Sequence, residues 1–465
     1  MKSADRYLYP IFALVALGIT VVFFGPYLNN FFAFDDFAIL EHIVQGPKAV
    51  LLGYNYILRF VANGVTWPLF LLSGYDPFGY NLFSALLWLL NGFLFFRFID
   101  RLFADRWLAF LAGTIFVGSA IGIDAAFWRA ANSTLLNLSF YLLTLHAYVV
   151  YRQTGNRRQW WLSLFYFGLA VFSKEESGSL PLVIIMLEAF FLGGAADRRG
   201  VIKRVLAFVA VVAGYVALNY IVIYLVIVAQ AEVARYSHFR PLRSLFTGWT
   251  AFFLSPDSRL AANDFRIYLT CLLVPLSFLL VKERRLLLFG YGWVFVTFLP
   301  QSLSTLTQLE PRFLCNSLSR HLYLPSAGVA IVYACLLVRI RDRFSHRAAL
   351  VSGALFLVLF LSYNYLEARA RGLSWLEEGE PMRTFMTALR KEVPQFPPNT
   401  YLFVNNAPTG RAFMQQGLRG FYRNPAITWI NDPNTFHPKP GDTALLINCI
   451  WRSERSVRLE FFPWR

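Results

Sequence analysis

The chain has 465 residues, 57% of them hydrophobic and 18% aromatic, with only 15% charged and a mean hydropathy of +0.48. A soluble protein does not have this composition; a polytopic α-helical membrane protein does, and the continuous rather than alternating apolar runs argue against a barrel. The net charge of +16 is carried largely in short basic clusters between apolar runs, loops too small to form a nucleic-acid reading surface.

These clusters orient the chain, because Lys and Arg accumulate in cytoplasmic loops. Lys2 and Arg6 hold the N-terminus inside, and a first span, Leu8–Tyr27, delivers Phe31–Glu41 (FFAFDDFAILE) to the outer side. That run is long enough to cross and lacks a small-residue cleavage site, so no cleavable signal peptide is expected. Residues Ala49–Tyr75 are too polar and too broken by Gly and Pro to span, and read as interfacial helices. Further spans are expected near Tyr80–Phe98, Trp107–Ile121, Thr134–Tyr151, Trp160–Phe172, Leu180–Leu192, Val205–Ala229, Ile267–Val281, Leu286–Pro300, His321–Val338 and Ala349–Tyr365. With about eleven spans, every strong basic cluster falls inside under one assignment, leaving the C-terminus outside. A long outer loop, Gln230–Arg266, is expected to hold another interfacial helix at Pro241–Leu254.

The expected division is a transmembrane module, residues 1–365, followed by a small extracytoplasmic α/β domain, residues 366–465. The second part is richer in Pro, Asn and charge, with a helix-like run at Pro381–Val393 and strand-like runs at Thr400–Val404 and Thr443–Asn448. Of four cysteines, Cys271 and Cys335 sit in apolar segments. Cys315 and Cys449 share the outer side, which leaves a disulfide open with no spacing pattern behind it.

Folded onto this topology, the unusual polar residues gather on the outer side. They are Asp35 and Asp36 after the first span, Asp124 and Arg129 after the third, Lys174, Glu175 and Glu176 between the fifth and sixth, and Arg312, Arg320 and His321 before the tenth. Charges beside hydrocarbon are costly unless they meet water, a partner or a ligand. Lys174-Glu175-Glu176 occupies a very short hairpin, so it is either an interfacial ion pair or a headgroup site, with Lys174 for a lipid phosphate and a Glu orienting a sugar hydroxyl or the lysine. Arg320-His321 divides the same way, since arginine offers phosphate a two-pronged fork or simply snorkels; Asp124 and Arg129 either pair with each other or face the same ligand. Acids and bases on one lipid-accessible side suit group transfer: a carboxylate deprotonates an acceptor hydroxyl, and cations stabilise the departing phosphate. Such a donor is lipid-borne, because no nucleotide is available outside a bacterial membrane.

Five stretches in order resemble the GT-C class of polytopic glycosyltransferases, most closely the protein O-mannosyltransferase-like branch that includes the TMTC proteins. They are FDDFAIL, YDPFGYNLFSALLWLLNGFLFFRF (Tyr75–Phe98), IDAAFWRAANSTLLN (Ile123–Asn137), FSKEESGSLPLVII (Phe172–Ile185) and SRHLYLPSAGVAI (Ser319–Ile331). The chain departs from that branch in having no tetratricopeptide array after its spans, and in reading Arg129-Ala130-Ala131-Asn132 where the branch often shows Gly-Arg-Ala. The resemblance implies an inverting transferase with a polyprenyl-phosphate sugar as donor; a protein, glycan or glycolipid is the expected acceptor and the bacterial inner membrane the expected location. Asp35 would be the general base with Asp36 supporting. Lys174 and Arg320 would hold the phosphate, with Glu175, Glu176, Arg129 and His321 around the donor. Some members bind a divalent metal (Mg, Mn or Ca) near the first-loop acid and others do not. A flippase or transporter of lipid-linked glycans, and a polysaccharide polymerase or ligase, are the competing readings.

Overall fold

The computed structural model describes residues 7–48, 58–193, 197–227, 265–281, 284–302, 319–343, 346–430 and 436–463. In chain order the helices are α1 (Leu8–Phe24), α2 (Asp36–Val44), α3 (Phe60–Ser73), α4 (Pro77–Phe103), α5 (Arg106–Val117) and the single turn α6 (Asp124–Phe127). Then come α7 (Asn132–Thr154), α8 (Arg157–Val171), α9 (Leu180–Leu187), α10 (Arg198–Ile227), α11 (Phe265–Leu280), α12 (Arg284–Ser302), α13 (Tyr323–Arg343) and α14 (His346–Glu392). The C-terminal part adds β1 (Thr400–Asn405), α15 (Arg411–Tyr422), β2 (Thr428–Trp429), β3 (Thr443–Ser453) and β4 (Ser456–Pro463).

Each apolar segment expected to span lies on a helix, and among the described residues six helices are long and apolar enough to cross a membrane. The segment expected to end at Tyr365 continues as helix to Glu392, so the run Pro381–Val393 is the end of α14 and not a separate element. Most of Gln230–Arg266 and Gln301–Arg320, with Arg312 and Cys315, lies outside the described residues, so the Cys315–Cys449 pairing does too.

The chain divides into two compact units. The first comprises residues 1–25, 84–126 and 131–371 and holds most of the long helices. Local chemistry sets their ends. Asp105 caps α5 by accepting from Trp107 N and Leu108 N, both at 3.0 Å. Between α7 and α8, Gly155 takes the left-handed conformation and Asn156 caps the next helix through Arg158 N at 2.9 Å. The core buries Trp88 and Trp293, whose indole N–H groups donate to the Val117 and Leu324 carbonyls at 3.0 Å. Small residues bring α12 and α13 into backbone contact: a Cβ on Gly328 would stand 2.6 Å from the Gly290 oxygen. Leu14, Val216 and Leu279 remain largely exposed, which suits helices whose solvent is lipid.

The second unit comprises residues 26–83, 127–130 and 372–465. Its four-stranded sheet runs β2-β1-β3-β4, with β1 parallel to β2 and β3, and β4 closing antiparallel against β3. Parallel β1 and β2 require a crossover, which α15 supplies. One apolar cluster gathers Leu402, Val404 and Ile447 from strands, Met414, Leu418 and Phe421 from α15, and Met382, Phe385 and Leu389 from α14. Phe31, Phe32, Phe37 and Leu40 from the first loop and α2 complete this core. The acid-bearing stretch is therefore built into the same body as the C-terminal sheet.

Candidate active site

The first loop turns sharply before α2. Phe34 takes a left-handed φ of 51°, uncommon for a residue with a side chain and a small store of strain. Phe34 is held there by aromatic edges: Trp375 at 5.9 Å, Phe413 at 5.8 Å and Trp128 at 6.5 Å between ring centroids. The turn gives the two adjacent aspartates opposite environments.

Asp36 is buried. Its Oδ2 accepts from Ala33 N at 3.1 Å and from Arg129 Nη1 at 3.0 Å, and its Oδ1 accepts from Ala130 N at 2.8 Å. Burial pushes its carboxyl up, against the pull of Arg129 and the two backbone N–H groups. Arg129, itself 5% exposed, also donates to the Asn30 carbonyl and stands 5.2 Å over the Phe32 ring. Asn81 reaches the same carbonyl at 3.0 Å, so the ion pair is locked into loop backbone. Asp35 sits at the N-cap position of α2, half-buried, and its side chain makes no capping hydrogen bond.

In the first unit, Lys174, Glu176 and His321 converge. Lys174 Nζ lies 2.8 Å from Glu176 Oε1, donates to Thr134 Oγ1 at 2.8 Å, and stands 3.3 Å from His321 Nδ1, which also meets Glu176 Oε1. All three side chains are nearly inaccessible. Burial would raise the Glu176 carboxyl, but Lys174 and His321 outweigh it and hold it at about 2. Glu176 Oε2 and His321 Nε2 are buried and have no hydrogen-bond partner among the described residues. A buried polar atom left open calls for an explanation, and a ligand is one. Glu175 faces out and Arg320 is half-buried.

The open Asp124–Arg129 pairing is answered against that pair. Arg129 takes Asp36 in the second unit, while Asp124 in the first pairs with Arg371 at 3.0 Å and accepts from the Ser319 hydroxyl. Arg371 lies near the middle of α14 with no local signal of a partner about 250 residues earlier, so no spacing pattern exposes it. Thr134 carries no signal of its own either: next to Ser133 at the start of an apolar helix, its hydroxyl reads as a capping or back-bonding side chain.

Asp36 is poorly suited to ligate a divalent ion: both of its oxygens already accept N–H groups, and the Arg129 guanidinium already balances its charge. No group of three or more His, Cys, Asp or Glu side chains arranged for a metal occurs among the described residues.

Residues 54–227 match the family described as dolichyl-phosphate-mannose-protein mannosyltransferase. The structure is similar over 96% of its length to ArnT from Cupriavidus metallidurans in the apo state, covering 93% of that chain at 15% identity with a TM-score of 0.51. It is also similar to the apo oligosaccharyltransferase of Archaeoglobus fulgidus at 13% identity and a TM-score of 0.50, over 92% of this chain and 65% of that one. The same enzyme in complex with Zn and sulfate gives 14% identity and a TM-score of 0.50. The fold is GT-C. At these identities the likeness is one of fold, and it covers the helices and the C-terminal sheet together. No curated protein matches the sequence.

Proposed function

We propose that this GT-C chain is a membrane glycosyltransferase that moves a sugar from a polyprenyl-phosphate donor to an acceptor hydroxyl on the outer face of the membrane. The observation that carries the reading is the anchored acid loop: Asp36 is fixed by Arg129 and two backbone N–H groups, and Asp35 stands next to it, half-buried, at the N-cap position of α2. In the proposed step Asp35 takes the acceptor proton, the acceptor oxygen attacks the anomeric carbon with inversion, and the bond to the phosphate oxygen breaks. The leaving polyprenyl phosphate keeps the electron pair, and Lys174 and Arg320 stabilise its charge. Glu176 and His321 position Lys174, Arg129 positions Asp36, and the exposed Glu175 is assigned to the sugar.

The names of the neighbours support the chemistry: one is an oligosaccharyltransferase, and the matching family is named for a dolichyl-phosphate sugar donor. The resemblance to the O-mannosyltransferase-like branch favours a protein acceptor, with a glycan or glycolipid as the second choice. The basic clusters support a cytoplasmic N-terminus and an extracytoplasmic domain from about residue 366, and the assigned location is a bacterial inner membrane. We route no step through a metal, since Asp36 already holds a cation.

The test is sugar transfer in membranes carrying Asp35→Asn or Asp36→Asn. Asp35→Asn is expected to lower transfer by roughly 10²–10⁴-fold with an unchanged unfolding midpoint, the usual size of a general-base contribution. Full activity in both single variants and in the double variant would sink the assignment. Native mass spectrometry of the purified protein would reveal a co-purified polyprenyl-phosphate sugar and its mass.

A further inference from the structure

At the end of the first unit where α4 leads into α5 and α7 into α8, the described residues enclose a cavity of about 820 Å³. One wall is cationic, formed by Arg97 and Arg101, one turn apart on α4, and by Arg106 at the start of α5. Asp100 is the one carboxylate among the described lining residues. It accepts from the Tyr9 hydroxyl at 2.5 Å and lies 4.0 Å from Arg106 Nε. Arg97 and Arg101 are exposed and have no carboxylate partner among the described residues. From α7, His146 brings a buried Nδ1 with no hydrogen-bond partner among the described residues. The cavity thus collects three arginines, one neutralised acid and an open imidazole nitrogen.

The rest of the lining is mixed: Leu143, Ala147 and Val150 of α7 and Leu162 of α8 are apolar, while Gln153, Gln159 and Tyr166 are polar. A headgroup with attached chains would use both kinds of surface. Trp107 and Trp161, near the starts of α5 and α8, are exposed large aromatics, and such residues settle at headgroup depth. Arginine forks match phosphate oxygens in pairs, and basic pockets between membrane helices hold anionic headgroups.

We propose that this cavity binds the phosphate of an anionic phospholipid, with Arg97 and Arg101 as the fork, His146 as an additional polar contact, and the apolar wall under the glycerol and acyl chains. The orientation proposed above puts this end in the inner leaflet. The lipid is thus distinct from the outer-face donor, and its binding is measured without any transfer reaction.

The test is native mass spectrometry of the full chain released from bilayers of phosphatidylcholine with a minor fraction of phosphatidylglycerol. The wild type is expected to retain phosphatidylglycerol selectively. Arg97→Gln/Arg101→Gln is expected to lower that retention roughly tenfold, in line with two cations at an anionic headgroup. Arg157→Gln/Arg158→Gln removes two exposed charges nearby that do not line the cavity, and is expected to leave retention unchanged. If the first double variant does not fold, Arg101→Gln alone is read the same way, with a smaller loss expected. Equal losses in the cavity variant and the Arg157/Arg158 variant, or no loss in the cavity variant, would overturn the site. Displacement of the lipid by excess inorganic phosphate would overturn the lipid as its occupant. An inactive transferase with intact selective retention would count against the glycosyltransferase reading alone.

Discussion

Two buried charge clusters, one in each unit, solve the same problem in different ways. In the second unit the Asp36 carboxylate is complete, with three N–H donors on its two oxygens and a guanidinium as counter-charge. In the first unit the Lys174–Glu176–His321 cluster is incomplete: one carboxylate oxygen and one imidazole nitrogen are buried with nothing to bond among the described residues. A completed buried ion pair is a fastener, since breaking it leaves an uncompensated charge. An incomplete one has capacity left for a ligand. Under the proposed function, the Asp36 pair holds the acid loop in place beside Asp35, and the lysine cluster receives the donor.

Removing the cation from each cluster is the most severe way to break this comparison. Arg129→Ala strands Asp36 in a dry site and is expected to cost roughly 3–5 kcal/mol of stability, read as a lower unfolding midpoint in detergent. Lys174→Met is expected to cost less, roughly 1–3 kcal/mol, because His321 remains as a partner for Glu176, and to weaken donor binding at least about tenfold. Equal stability losses with unchanged donor affinity would make the lysine cluster a second fastener.

Acid sharpens the same contrast. The folded Glu176 carboxyl, at about 2, lies below its ordinary value of 4.5. Its contribution is therefore fully present above about pH 4.5 and is lost as pH falls toward 2. The wild-type unfolding midpoint is expected to fall on acidification from neutral pH more steeply than that of Glu176→Gln. Parallel curves would remove Glu176 from the account. The smallest effect is expected at Arg419, which reaches Glu41 of α2 from α15 at 2.8 Å with partial exposure; Arg419→Gln is expected to cost about 1 kcal/mol. A loss several times larger would mean that the acid loop is fastened as firmly at its α15 contact as at Arg129.

Most of the long helices are legible because each is an apolar run with basic residues near one end, and both signals are local. The Lys174-Glu175-Glu176 turn is legible as a charge cluster because its members are adjacent, while which glutamate takes the lysine is decided by the fold. What escaped was any partner chosen over distance. Asp36 meets Arg129 rather than leaving it to Asp124, and Asp124 meets Arg371, because the fold brings together segments that carry no mark of one another. The length of α14 was missed as well. Its apolar character ends near Tyr365 while its backbone continues to Glu392, supported by Met382, Phe385 and Leu389 packing into the second core. Hydropathy reports where lipid ends, not where a helix does.

That second core has a temporal consequence. Phe31, Phe32, Phe37 and Leu40 are synthesised early, but their packing partners lie between Met382 and Cys449. The first loop can enter the membrane-proximal space within moments of its span, yet the apolar surface that shapes it does not exist until several hundred more residues have been translated. A ribosome that stops short would release a chain with its membrane helices in place and its aspartates unformed. The geometry at Asp35 is thus a late product of biosynthesis, and its assembly certifies that the message was read through the sheet.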